Sequence, residues 1–170
     1  MQNTHDILID KLIDAINDDD IDTVSNILNK PDFVPNTRSG ARYSPLHAAA
    51  WNEKVEISKL LINAGADVNA RESITGKTPL FNVSSYEIIK NLVNASADVN
   101  IQDSYEHNTV LHGKLLDNRS LKLILDAGFN HKLTNRMGWD VLHMHTAYGH
   151  YWLLEDLLNY GFDVDRENNN

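Results

Sequence analysis

A pair of short motifs that recurs with one period constrains the fold more than any other feature of this sequence. The first motif begins S-P-L-H, T-P-L-F, T-V-L-H or D-V-L-H, and its four copies start at Ser44, Thr78, Thr109 and Asp140, at intervals of 34, 31 and 31 residues. The second motif contains Gly65, Ser96, Gly128 and Gly161, at intervals of 31, 32 and 33 residues. Because two independent markers keep one period in the low thirties, the sequence predicts stacked pairs of helices.

The stretch from Ser44 to Gly65 shows how one such pair is built. Pro45 suits the first turn of a helix, where its missing N–H costs no hydrogen bond. The small residues 48–50 let neighbouring helices approach closely, and the apolar residues of 55–62 provide the bulk of a core. Gly65 then predicts a left-handed helix end.

The motifs S-P-L-H-A-A-A at 44–50 and N-A-G-A-D-V-N at 63–69 resemble those of the ankyrin-repeat family, and the resemblance extends over about residues 12–165. It implies an all-α solenoid of about five stacked helix–turn–helix units in a single domain, residues 1–170. The expected boundaries are a first, capping repeat (5–32), a second repeat (39–72), a shortened third (73–103), a shortened fourth (104–134) and a fifth, C-terminal capping repeat (135–166).

The first and the two shortened repeats depart from the pattern. In the first repeat, apolar residues recur at helical spacing on both sides of Asp18–Asp20, so this triplet predicts a turn that caps the next helix rather than a cation site. In the third repeat, Ser96 replaces the glycine at the helix end, where a left-handed conformation costs a side chain about 1 kcal/mol. In the fourth repeat, Lys114 stands where Ala49 stands in the second, which predicts an unfavourable residue inside a tight helix contact.

Composition excludes several classes of function. The chain has 170 residues, a formal net charge of −9 and no cysteine, so thiolate metal sites and disulfides are excluded. Without clusters of Lys and Arg or long apolar runs, it is expected to bind neither nucleic acid nor membrane. With no leader pattern at the N-terminus, we expect a cytoplasmic protein that is monomeric on its own. The acidic charge either steers in a basic protein partner or serves only solubility.

The chain contains enough histidines to suggest a metal site, but their spacing in the sequence does not favour one. His47, His112 and His143 share one repeat position, where the family resemblance implies an imidazole that hydrogen-bonds the neighbouring repeat. If His143, His145 and His150 lay on one helix, then at about 100° per residue His143 and His150 would share a face and His145 would point away. We therefore expect neither a metal site nor a cofactor.

No catalytic motif is present either. G-K-T at 76–78 resembles the end of a phosphate-binding loop, but Arg71 stands where that loop requires its first glycine. The sequence contains no G-x-S-x-G elbow and no H-E-x-x-H pair. The protein is accordingly predicted not to be an enzyme.

The family resemblance implies instead a concave binding face, formed by the projecting turns and the exposed end of each first helix. Trp51, Tyr105, Trp139 and Tyr148 are the predicted anchors, because aromatic residues are enriched at protein interfaces. The full set of predicted partner-binding residues is Tyr43, Trp51, Asn52, Lys77, Tyr105, Glu106, Arg136, Met137, Trp139 and Tyr148.

Three functions follow from these features. The first is a module that binds a partner protein through this concave face. The second is a small acidic inhibitor or immunity-type protein that neutralises a partner enzyme or toxin. The third is a metal-dependent enzyme, for which the sequence supplies no ligand set.

Overall fold

The computed structural model describes residues 4–36, 43–114 and 116–167, and all regular secondary structure in these ranges is helical. The predicted all-α class is therefore confirmed. The α-helices are α1 (Thr4–Asn17), α2 (Ile21–Leu28), α3 (Pro45–Trp51), α4 (Val55–Asn63), α5 (Tyr86–Asn94), α6 (Val110–Gly113), α7 (Asn118–Asp126), α8 (Val141–Ala147) and α9 (Leu154–Asn159). Two 3-10 turns accompany them, at Pro79–Asn82 and Tyr151–Leu153.

The chain forms two compact units, an N-terminal unit of residues 1–98 and a C-terminal unit of residues 99–170. Helices occur in pairs along the sequence, as the repeat period predicts. The assignment of a single domain with the five boundaries given above remains a prediction.

The first helical pair, α1 and α2, is joined by the acidic turn. Ile9, Leu12 and Ile16 lie on one side of α1 and are buried. Asp19 adopts a left-handed conformation (φ 60°), and the carboxylate of Asp20 accepts a hydrogen bond from the N–H of Thr23 at 2.9 Å. The predicted role of the Asp triplet as turn and helix cap is thus confirmed.

The second repeat is the most regular. Pro45 occupies the first turn of α3, and residues 48–50 are buried alanines, which allows α3 to pack closely against the turn Pro79–Asn82. Ile57 and Leu61 fill the core from α4. Gly65 ends α4 with φ 87°, as predicted.

The third repeat is shortened in its first helix. Its first helix is reduced to the 3-10 turn Pro79–Asn82. The carboxylate of Glu53 compensates by accepting hydrogen bonds from the N–H groups of Ser84 and Ser85, at 2.6 and 2.8 Å. Ser96 keeps the left-handed conformation (φ 67°) of the glycine that it replaces, so that prediction is confirmed.

The C-terminal unit corrects the prediction for Lys114. Helix α6 has only four residues and ends at Gly113, so Lys114 follows it in an extended conformation (φ −136°, ψ 130°) and is half-buried. The prediction that Lys114 lies inside a tight helix contact was wrong, because the shortening of the repeat removes the helical turn that would have placed it there. Leu111, Ile124, Val141 and Leu157 form the buried core of this unit.

Candidate protein-binding surface

In the N-terminal unit, the projecting turn of the third repeat is held by hydrogen bonds on both sides. The N–H of Glu72 donates to the carbonyl of Lys77 at 2.9 Å, and Gly76 accommodates the turn with φ 67°. The same Lys77 carbonyl also accepts a hydrogen bond from Nε2 of His47 at 3.0 Å. Lys77, a predicted partner-binding residue, is half-buried and its backbone is fixed.

The imidazole at the repeat's histidine position joins two repeats. Nδ1 of His47 accepts from the hydroxyl of Ser44 at 2.8 Å, so its Nε2–H is the donor to the next turn. His112 repeats this arrangement, with the hydroxyl of Thr109 at 2.7 Å and the carbonyl of Trp139 at 3.1 Å. The structural role predicted for these two histidines is therefore confirmed. Burial lowers the pKa of His112 to about 4, so this imidazole is neutral.

In the C-terminal unit, the projecting turns of the fourth and fifth repeats bond directly to each other. The N–H of Arg136 donates to the carbonyl of Glu106 at 2.7 Å, and its guanidinium Nη1 donates to the carbonyl of Tyr105 at 3.3 Å. The carboxylate of Asp103 accepts from the N–H groups of Tyr105 and Glu106, at 3.2 and 2.9 Å. Three of the predicted binding residues thus belong to one rigid pair of turns.

This pair of turns exposes two large side chains and partly buries a third. Tyr105 is 54% exposed and Met137 is half exposed. Trp139 is a predicted exposed anchor, but its side chain is half-buried. Its indole N–H is buried and has no hydrogen-bond partner among the described residues. Its ring lies instead beside Leu142 and Leu154, along an apolar groove. The anchoring role of Trp139 remains a prediction.

The first-helix end of the second repeat presents a more accessible ring. Trp51 is 63% exposed at the C-terminus of α3. Tyr43 is half-buried and supports it in an edge-on contact, with ring centroids 6.5 Å apart. Asn52 is exposed, and its side-chain amide donates to Oδ1 of Asn17 on α1 at 2.8 Å, so part of its hydrogen-bonding capacity is used within the unit.

The corresponding helix end of the fifth repeat corrects the predicted arrangement of histidines. Helix α8 ends at Ala147, and Gly149 (φ 74°) turns the chain back, so His150 is not on the helix with His143. Nδ1 of His150 lies 3.0 Å from Nδ1 of His145, whose Nε2 donates to the carbonyl of Leu111 at 2.9 Å. The prediction that His143 and His150 share a face was wrong because it assumed a continuous helix.

Tyr148 follows α8 directly and is 64% exposed. Its ring centroid lies 5.9 Å from that of His150. Burial lowers the pKa of His145, which favours the neutral ring in this pair. Within the described residues, no three His, Asp or Glu side chains are grouped closely enough to hold a metal ion.

A family model for ankyrin repeats (3 copies) matches residues 12–103, which is more than half of the chain. This chain belongs to the ankyrin-repeat family. The stacked-repeat architecture predicted from the two motifs is therefore confirmed. Ankyrin repeats are generally protein–protein interaction modules, and the family is typically non-enzymatic.

A curated relative matches a shorter part of this ankyrin-repeat protein. It is alpha-latrocrustotoxin-Lt1a of Latrodectus tredecimguttatus, which is 42% identical over 50 residues. The match covers 29% of this chain and 4% of the toxin, so the chain spans only a small fraction of that relative's length. None of the helices in the described ranges combines the length and apolar character needed to cross a bilayer.

Sequence reasoning missed two exposed aromatic residues of this ankyrin-repeat protein. Tyr151 and Trp152 lie in the 3-10 turn before α9, and both are more than half exposed. A comparison in register could have found Trp152, because the equivalent residues of the second, third and fourth repeats are Glu56, Glu87 and Arg119, all exposed and charged.

Proposed function

We propose that this ankyrin-repeat protein binds another protein through the concave-side positions of its repeats. The proposal rests on one observation: large apolar side chains are exposed to solvent at positions where the backbone is fixed by hydrogen bonds. Tyr105 and Met137 project from the bonded pair of turns in the C-terminal unit, and Trp51 projects from α3 in the N-terminal unit. Exposed aromatic and Met side chains are the residue types that interfaces favour.

The backbone geometry supports this function energetically. Each turn is held by hydrogen bonds that exist before any partner arrives, such as those from Arg136 to the carbonyls of Glu106 and Tyr105. Ordering a loop on binding costs free energy, and a preorganised turn avoids most of that cost. The rings of Trp51 and Tyr105 then bury a large area while losing little side-chain entropy.

The charged residues among the predicted partner-binding positions favour binding through aromatic side chains over binding through electrostatic attraction. The ionisable residues there are Lys77, Glu106 and Arg136, two basic and one acidic. The acidic concave surface that the inhibitor hypothesis requires does not arise from these residues. The net charge of −9 would still attract a basic partner over longer distances. The cytoplasmic location, the monomeric state and the absence of catalysis remain predictions.

Single alanine substitutions in the intact protein test the proposal. We expect Trp51→Ala and Tyr105→Ala each to weaken binding of a captured partner by about 1 kcal/mol or more, because each removes a central anchor. Trp152→Ala is the matched control, since it removes an exposed ring from a different part of the repeat. Isothermal titration calorimetry would measure affinity, and thermal denaturation would show that Tm stays nearly unchanged. If Trp152→Ala weakens binding while the other two do not, the proposed surface is wrong.

A further inference from the structure

The outer face of the fifth repeat, formed by α8, α9 and the loop after Gly161, leaves apolar side chains uncovered. A groove of about 390 Å³ runs along it, lined by Leu142, Leu154, Leu158 and Val164 among others. Val164 is 70% exposed, and Leu158 is also exposed. A terminal repeat normally carries a polar outer face. The prediction that the fifth repeat is a cap therefore leaves this apolar groove unexplained.

The equivalent positions of other repeats are covered. Val68 and Val99 stand where Val164 stands in the repeat motif, and they are only 8% and 3% exposed. Ala50 is fully buried, whereas its equivalent on α8, Thr146, is exposed. The outer face of the fifth repeat therefore has apolar residues where other repeats stack, and no element among the described residues buries them.

The histidine on this face has the opposite hydrogen-bonding arrangement from its equivalents in the second and fourth repeats. At the same position of the motif, Nε2 of His47 donates to the carbonyl of Lys77, and Nε2 of His112 donates to that of Trp139. In the fifth repeat, Nδ1 of His143 lies 2.8 Å from the carboxylate of Asp140, and its Nε2 makes no hydrogen bond within the described residues. Because Nδ1–H of His143 donates to the carboxylate of Asp140, Nε2 is the acceptor nitrogen of the neutral imidazole and can accept a hydrogen bond from an incoming N–H.

A second polar position of the motif keeps only part of its hydrogen-bonding capacity in the fifth repeat. Asn69 accepts from the N–H of Asp98 at 2.8 Å and donates to the carbonyl of Ser96 at 3.3 Å, and Asn100 makes the equivalent bonds at 2.7 and 3.0 Å. Asp165 takes this position in the fifth repeat and is exposed. Its carboxylate can accept the backbone N–H of an incoming loop, but it cannot donate to the carbonyl.

We propose that the outer face of the fifth repeat is a second interaction surface, which docks an ankyrin-type helical pair of another protein. The helical pair would cover Leu158 and Val164, and a backbone N–H of its entering loop would donate to Nε2 of His143. Asp163 lines the groove and Asp165 follows Val164 directly in the chain, and both are exposed, so a basic entering loop fits this rim. A second copy of this chain, with its net charge of −9, fits it poorly.

An extension of the intact chain tests whether the face accepts such a pair. A copy of residues 43–72, joined after Asn170 by a flexible linker, supplies a helical pair of known stacking chemistry at high effective concentration. We expect the methyl NMR signals of Leu158 and Val164 to shift to buried values, and the amides of the added repeat to become protected from hydrogen exchange. An added repeat that remains unprotected would overturn the proposal.

Variants of the extended chain make the test specific. Leu158→Glu combined with Val164→Glu should abolish protection of the added repeat while the rest of the chain stays folded, because both side chains are exposed in the unextended protein. Asp165→Asn restores the donor seen at Asn69 and should raise the docking equilibrium constant about fivefold, the value of one net hydrogen bond. Protection that survives the double substitution would show that the added repeat stacks elsewhere and would overturn the proposal.

Sedimentation velocity of the unextended chain identifies the source of the helical pair. We expect a monomer at concentrations up to about 100 µM, so any self-association would have a Kd weaker than this concentration. Self-association that Val164→Glu abolishes would assign the face to a second copy and would overturn the proposed occupant. Neither result depends on partner binding through Trp51 or Tyr105 of the parent chain, so the failure of this proposal would leave the proposed function intact.

Discussion

The second and fifth repeats have the same local geometry and opposite surroundings. Both begin their first helix with a capping side chain that hydrogen-bonds the histidine three residues later, Ser44 with His47 and Asp140 with His143. Both also end in a left-handed glycine. Yet Ala50 on α3 is fully buried, whereas the equivalent Thr146 on α8 is exposed.

This difference distinguishes features of a repeat that depend on its own sequence from features that depend on the neighbouring repeat. Helix starts and ends depend on residues within a few positions in the sequence, so the same motif reproduces them in every repeat. Burial depends on whether another repeat lies alongside, which the motif itself does not encode. Substitutions at equivalent positions of the two repeats should therefore have equal effects where the cause is local, and unequal effects where it is not.

The largest expected contrast is between Ala50→Arg and Thr146→Arg. Arginine at position 50 would force a charge into a fully buried contact and should destabilise the N-terminal unit by about 4 kcal/mol or more. At position 146 the side chain reaches solvent, so the change should stay within about 0.5 kcal/mol. Urea denaturation followed by circular dichroism measures both. Equal losses would show that the outer face of the fifth repeat is covered in solution.

The next effect concerns pH and the buried histidine of the fourth repeat. Because burial holds the pKa of His112 at about 4, below its ordinary value of 6.5, the unfolded chain binds an extra proton between these values. The resulting stability is present above pH 6.5 and is lost as pH falls towards 4. We expect a loss of about 2 kcal/mol in the free energy of unfolding from pH 7 to pH 5.

His112→Gln is the control for this pH dependence. The variant will be less stable at every pH, so the quantity to compare is the slope of the unfolding free energy against pH. The slope should become shallower but not vanish, because the lowered pKa of His145 acts in the same direction. A slope identical to that of the parent protein would mean that His112 is not the titrating group.

The smallest effects should be equal in the two repeats. Gly65 and Gly161 have φ values of 87° and 90°, and a Cβ added at either would meet no atom within 4 Å. The cost of Gly65→Ala or Gly161→Ala is therefore purely conformational, about 1 kcal/mol each. Thermal denaturation monitored at several wavelengths measures both variants. A much larger cost at Gly65 than at Gly161 would show that local geometry also depends on the covering repeat.

Most of the regular architecture could be predicted from the sequence. The repeat period, the cap formed by Asp20, the left-handed Ser96 and the bonding of His47 all follow from residues near in sequence or one repeat away. These features depend on short-range chemistry that recurs in each copy of the motif. The family model confirms the same stack.

The candidate surface was predicted less well, and the errors share one physical origin. His145 and His150 meet because Gly149 ends the helix one turn earlier than a continuous helical pattern would. Lys114 lies outside a helix because the first helix of the shortened fourth repeat ends at Gly113. Each error came from extending a regular element across a residue where the chain changes direction.

The sequence by itself determined the repeat period and the bonding of His47 and His112 to neighbouring turns, because those features arise from residues within one repeat length. Only the tertiary structure decided how far each ring is exposed. It shows Trp51 mostly exposed with Tyr43 against one edge, Trp139 half-buried beside an apolar groove, and the side chain of Val164 also exposed. Exposure is set by the packing of side chains that are distant in sequence, and no local motif carries that information.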